Sequence, residues 1–265
     1  MICYKDVQFL QEGVATVSHT QHIQYLDAVT IQDIHGKKLF GEVVELQDNK
    51  ATIQLFHDVK EFVVDDCWAV FFGKPLSFPL SPSVLGKTFV GGETLLAESR
   101  YNTHVISYFS RFLAFSSVQF YNIHEKKVPF SHFLPMSDGF HTGLLQERIV
   151  ETLNHTNEIY LSAQNSKSHI DQFIQLVNTS RQLYPDRHFM VVIELIDVSN
   201  SELEEIKHTV EEAGLLSSSV FFVYTNNEPE TRRNLVHQLA LTTTGYINQT
   251  LQHSVFHLII DANQL

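Results

Sequence analysis

Apolar and polar residues alternate with a period of two along roughly the first 75 residues, the spacing of strands with one face turned to a core. The stretch "VTIQDIHGKKLFGEVVEL" reads as two strands joined at His35-Gly36, and "QDNK" marks a second turn. Beyond it, "ATIQLF" sets Ala51, Ile53 and Leu55 on one side. "EFVVDDCWAVFF" offers a further strand pair. Short strands with tight turns predict a small closed barrel or sandwich. Three prolines in "GKPLSFPLSPSVLGKTF" then break the rhythm and place a domain boundary between residues 77 and 78.

Past that boundary the period switches between strand and helix. Strands are predicted at 127–133, 159–163, 188–195, 220–225 and 255–261. Ile170, Phe173, Ile174 and Val177 recur at the i, i+3, i+4, i+7 spacing of one buried helical face. Ser199 with Glu202 three residues on is a capping box, in which each residue satisfies an N–H that the first helical turn leaves unpaired. Leu203, Ile206, Val210 and Ala213 form that helix's apolar face, and Gly214 stops it. Pro229 suits the first turn of the next helix, where its missing N–H is no loss. "FMVVIELI" and "VFFVY" are continuous apolar runs, as strands covered on both faces require. Repeated βαβ units imply a parallel sheet with right-handed crossovers. The expected fold class is therefore α/β with an N-terminal all-β domain, a barrel over 1–77 and a helix-flanked parallel sheet over 78–265.

Composition narrows the function. A chain of 265 residues with 43% apolar and 18% charged content suits a soluble protein of two modest domains, each with a real core. Acids outnumber Lys and Arg by 30 to 18, and the net charge of −12 argues against a nucleic-acid partner, whose phosphates are bound mainly by cations. Cys3 and Cys67 lack a Cys-x-x-Cys spacing and fit reduced thiols. The N-terminus "MICYKDVQFLQEG" carries charge where a signal peptide needs an apolar stretch, which points to the cytoplasm. The sequons at Asn154, Asn178 and Asn248 are then chance matches. No apolar run approaches the ~20 residues that span a bilayer, so direct membrane insertion is not expected. Among fifteen histidines, the pairs His19/His22 and His253/His257 have no spaced carboxylate or thiol beside them, and no metal site is expected.

One stretch, "KKVPFSHFLPMSDGFHTGLLQERI", has the outline of a phosphate-binding loop: strand, Gly-containing loop, amphipathic helix. The motif Gly-x-x-x-x-Gly-Lys-Ser/Thr falls in register with Asp138 at its first glycine, Gly143 at its second, then Leu144 and Leu145. The loop thus lacks the cation for the β/γ-phosphates and the hydroxyl that binds magnesium. Asp138 adds negative charge at a helix N-terminus that otherwise suits anions. No catalytic residue is assigned. Residual ATP or ADP binding would use Asp138, Gly139, His141, Thr142 and the strand-end Asp261, with affinity weaker than about millimolar, since backbone N–H groups alone would have to supply about −4 kcal/mol. An independent enzyme would instead draw on Glu194, Asp197, His141 and Asp261, with a buried carboxylate as general base. Neither a Gly-x-Ser-x-Gly elbow nor a dinucleotide fingerprint accompanies them.

Two stretches carry a family resemblance. "FFGKPLSFPLSPSVLGKTFVGG" resembles the connector between barrel and nucleotide domain in rotary ATPases, with Phe72, Gly73, Lys74, Pro75, Leu76, Pro79, Ser81, Leu85, Gly86, Phe89 and Gly91 fitting and Lys87 and Val90 departing. "LALTTTGYINQTLQHSVFHLIID" is similar to the Leu-Ala-Leu-Thr-Thr-Ala-Glu-Tyr segment of the V-type ATPase B subunit and the strand that follows it, which ends in a Walker B-type Asp. Between them, Lys127, Pro129, Phe130 and Ser131 match the Gln-Lys-Leu-Pro-Ile-Phe-Ser of the same B-type family, and of its Gly-Leu-Pro-His-Asn-Glu only His141 is kept.

The resemblance implies a short, divergent member of the rotary ATPase alpha/beta family, with a P-loop NTPase-like second domain and no C-terminal helical domain. The B subunit is the non-catalytic ring member and has already lost the phosphate-binding lysine, so Leu144 and Leu145 read as inherited. A structural or regulatory role follows, in a V-type ATPase or ATP synthase engaged in ion or proton transport. The implied partner is a catalytic A-type subunit or another protein in a hetero-oligomer, peripheral to a membrane complex. The alternative is a truncated paralogue serving as an interaction module without nucleotide binding.

Overall fold

Strands β1 (Ile2–Tyr4), β2 (Val7–Gln11), β3 (Val14–Val17), β4 (Asp27–Gln32), β5 (Lys38–Gln47), β6 (Lys50–Leu55) and β7 (Trp68–Pro75) form one antiparallel sheet in the order β1-β7-β4-β5-β6-β3-β2. The computed structural model describes residues 1–11, 13–57, 59, 62–63, 66–91, 119–136, 142–164 and 167–261. The sheet curls into a near-closed barrel around Ala15, Val17, Ile31, Val43, Ala51, Ile53, Leu55 and Ala69, all fully buried. Along β6 burial alternates strictly, with Ala51, Ile53 and Leu55 inside.

Turn chemistry sets the register. Asp48 and Asn49 both have positive φ, and Gln47 pairs with Lys50, so the β5–β6 link is a two-residue turn whose twist matches its strands. Between β4 and β5, Gly36 takes φ +81°, and Asp33 Oδ1 accepts from the N–H groups of His35 and Lys37 at 2.9 and 2.8 Å. Gly41 is required for a different reason: a Cβ there would overlap the Gln54 carbonyl of the paired strand. The expected strand pair in "EFVVDDCWAVFF" reduces, within the described residues, to β7 alone.

The chain divides into two compact units, one of residues Met1–Phe78 with Asn122–His124 and Pro229–Asn234, the other of Pro79–Tyr121, Glu125–Glu228 and Leu235–Leu265. Strands β8 (Ser77–Leu80) and β10 (Gln119–Asn122) form a separate two-stranded sheet.

The second unit is built on β9 (Thr88–Val90), β11 (Leu134–Pro135), β12 (Glu158–Ala163), β13 (Phe189–Val198), β14 (Ser219–Thr225) and β15 (Ser254–Asp261). Their order is β11-β12-β15-β13-β14-β9, every neighbouring pair parallel. Helices α1 (Thr142–Leu153), α2 (Lys167–Leu183), α3 (Asn200–Glu212) and α4 (Thr231–Gln249) flank it. Val191, Ile193, Leu195, Phe221, Val223, Phe256, Leu258 and Ile260 pack with α1–α3 in one core. Tyr160 and Ile259, of opposite parity, pack with Leu241 of α4 and with Phe133. Each fully buried side chain of this size contributes about 1.5–3 kcal/mol, which makes the larger core the main stabiliser of the unit.

The α3 capping box is present, with the Ser199 N–H to Glu202 Oε2 at 2.7 Å and the Glu202 N–H to Ser199 Oγ at 3.3 Å. Gly214 at φ +69° ends that helix, and the Leu215 N–H closes onto the Val210 carbonyl at 3.0 Å. On α2, Ile170, Phe173 and Val177 are buried as expected, Ile174 is half-buried against the same core, and Leu176 is buried in addition. Pro229 precedes α4, and its carbonyl accepts the Arg232 N–H at 2.9 Å. The strand expected over 127–133 does not form. Pro129 has no N–H for a ladder, and Phe130–His132 winds into a 3-10 turn closed by the His132 N–H on the Pro129 carbonyl. The strand there is the two-residue β11.

The glycines of the connector have a physical reason. Gly86 and Gly91 both have positive φ, and their N–H groups bond to the carbonyls of Ser219 and Val223 at 2.6 and 2.7 Å. They bracket β9, whose Phe89 stacks on Phe222 with centroids 5.2 Å apart. A Cβ on Gly91 would overlap the Glu228 carboxylate.

Candidate functional site

Parallel strands bring their C-terminal ends to one edge, where open α/β sheets hold ligands. At this edge β11 precedes α1 in the chain, and residues 137–141 between them lie outside the described residues. Asp138, Gly139 and His141 lie outside the described residues, and Thr142 is the first residue of α1. Asp261 is the last residue of β15, buried, in register with Ile196 of β13. Because β12 intervenes, it stands two strand spacings, about 10 Å, from β11. Asp197, next along β13, sits at a bulge with φ +59°, a left-handed conformation that Asp tolerates better than most residues. Two acidic residues thus lie at the C-terminal ends of neighbouring strands. Leu145, which takes the place of the motif's hydroxyl, is 2% exposed and packs with Ile149 and Leu153 in the main core.

Glu194 lies elsewhere. It is in the middle of β13, 1% exposed, on the face that α4 covers. His237 Nδ1 lies 3.0 Å from both of its carboxylate oxygens, and His257 Nε2 lies 3.2 Å from Oε2. His257 is fully buried on β15, and His237 is part-exposed on α4. The other His257 nitrogen, Nδ1, is 3.0 Å from Thr244 Oγ1. Phe133 and Tyr160 pack edge-on and tilted against the His257 ring, at 5.7 and 5.4 Å. Nearby, Glu158 accepts from both Lys126 Nζ and the Tyr160 hydroxyl. The Lys126 stem lies over Gly245, where a Cβ would come within 3.0 Å of it.

Electrostatics follow from burial and pairing. Desolvation opposes ionisation of Glu194, but hydrogen bonds and charge from His237 and His257 outweigh it and hold the carboxyl below the usual range. Desolvation pushes His257 down, against a partial upward pull from Glu194. Burial, with the adjacent Glu158 carboxylate, pushes the Tyr160 phenol up. Among the described residues no group of three His, Cys, Asp or Glu side chains is arranged to hold a metal ion. The cluster can shift one proton among its members.

Of the four residues put forward for an independent enzyme, the structure brings Asp197 and Asp261 to the edge and sets Glu194 apart in the sheet. His237, His257 and Thr244 were missed as its partners. A signal existed, because Glu194 interrupts "VVIELI" and His257 interrupts "VFHLII", both otherwise continuous apolar strands. His237 and Thr244 are seven residues apart, on one face of α4.

Residues 14–66 match the β-barrel domain of the ATP synthase alpha/beta family. The chain is 25% identical over 242 residues to the V-type ATP synthase beta chain 2 of Clostridium tetani, an overlap of 90% of this chain and 49% of that protein. It is 24% identical to the A-type ATP synthase B subunits of Cenarchaeum symbiosum and of Nitrosopumilus maritimus, in each case over 97% of this chain and 53% of the relative. The chain spans about half the length of these curated relatives.

Proposed function

We infer from a chain related over most of its length to the B-type subunits of V-type and A-type ATP synthases that it acts as a non-catalytic member of that type, structural or regulatory within a rotary ATPase-like assembly. The observation that carries the non-catalytic part is Leu145. At the motif position that would supply a magnesium-binding hydroxyl, the side chain is withdrawn into the core. With Leu144 at the lysine position, the loop has neither of the groups that phosphoryl transfer needs. No helix among the described residues is long and apolar enough to cross a membrane, which suits a peripheral role. The partner is a catalytic A-type subunit, met through a hetero-oligomeric contact.

Isothermal titration with ATP-magnesium is expected to give no binding tighter than about millimolar. Affinity purification from the source cell is expected to recover an A-type subunit. Micromolar ATP binding, or ATP turnover abolished by Glu194→Gln, would overturn the reading.

A further inference from the structure

The Thr244 hydroxyl has one proton and two neighbours that want it. Its oxygen is 3.0 Å from the Ala240 carbonyl and 3.0 Å from His257 Nδ1. With His257 neutral and its proton on Nε2, the ring donates to Glu194 while Nδ1 accepts from Thr244. A second proton, on Nδ1, reverses that bond. The ring then donates to Thr244, whose proton must turn back to Ala240, and a full positive charge appears on a side chain with no exposure to water. We propose that Glu194, His257 and Thr244 form an acid-sensitive latch that fixes α4 against the sheet near neutral pH and weakens as the surroundings turn acidic.

The groups facing His257 decide the direction. From β13, Glu194 attracts the added charge, but His237 on α4 already shares that carboxylate. His237 and Lys126 both oppose a cation on His257. Glu158 of β12 is engaged by Lys126 and by the Tyr160 hydroxyl. Desolvation is the largest influence and lowers the proton affinity of the folded state below the ordinary 6.5. For a group depressed in this way, its contribution to stability is complete above 6.5 and declines as pH falls below it. The Glu194 carboxyl is also depressed, so its own contribution is lost only in a more acidic window, below about 4.5.

Denaturant unfolding of the whole chain at pH 7.5 and pH 5.5 tests the latch against His257→Gln, which keeps a donor toward Glu194 and cannot titrate. The unfolding constant of the native protein is expected to rise about tenfold more than that of the variant, the shift given by a histidine that titrates at 6.5 only when unfolded. Hydrogen exchange is expected to show the α4 amides losing protection by a similar factor. Equal pH slopes in the two proteins, or unchanged α4 protection, would overturn the proposal. Should His257→Gln not fold, the His257 ring can be followed by NMR in the native protein. Neutrality down to pH 5.5 supports the latch, and protonation at or above 6.5 removes it.

Discussion

Asp33 in the barrel and Glu194 in the parallel sheet are both carboxylates with 1% exposure, and they are satisfied in opposite ways. Asp33 finds its donors two and four residues along its own turn. Glu194 finds them 43 and 63 residues away, on a helix and on another strand. The first arrangement forms with the hairpin and needs nothing else. The second exists only once β13, β15 and α4 are assembled, so it reports on the whole unit. A buried charge satisfied at long range couples elements that propensity alone leaves independent.

The comparison can be broken by substitution. His257→Ala deprives a buried carboxylate of one donor and opens a cavity, and is expected to destabilise the second unit by about 3–5 kcal/mol in denaturant unfolding. Asp33→Ala removes two turn hydrogen bonds and is expected to cost about 1–2 kcal/mol, felt in the barrel. If the two losses prove equal, the contrast between local and distant satisfaction is wrong. Ser199→Ala, which deletes the α3 cap, sharpens the local side of the comparison. A loss of about 1 kcal/mol is expected in denaturant unfolding.

The same division separates what was legible in the sequence from what was not. The His35-Gly36 and "QDNK" turns, the alternation of Ala51, Ile53 and Leu55, and the Ser199–Glu202 box all rest on contacts within a few residues, and all are present. The parallel sheet was legible because its strands are covered on both faces and therefore run apolar without alternation. The strand over 127–133 failed where Pro129 cannot enter a ladder and a 3-10 turn forms instead. Ile174 packs against the core as expected but only partly buried, at one margin of the face whose other margin is Leu176. For the candidate site, the order of β11 before α1 was legible, and the segment between them, residues 137–141, lies outside the described residues. The Glu194 cluster was not. Periodicity marks a residue as buried, but only tertiary register brings Glu194 beside His257 on the neighbouring strand.

The inward packing of Leu145 bears on what that position can accept. Here the position has been absorbed into the seat of α1, beside Ile149 and Leu153. Ser or Thr in place of Leu145 would have to bury a hydroxyl among those side chains, so the first effect of the exchange would fall on the seating of α1.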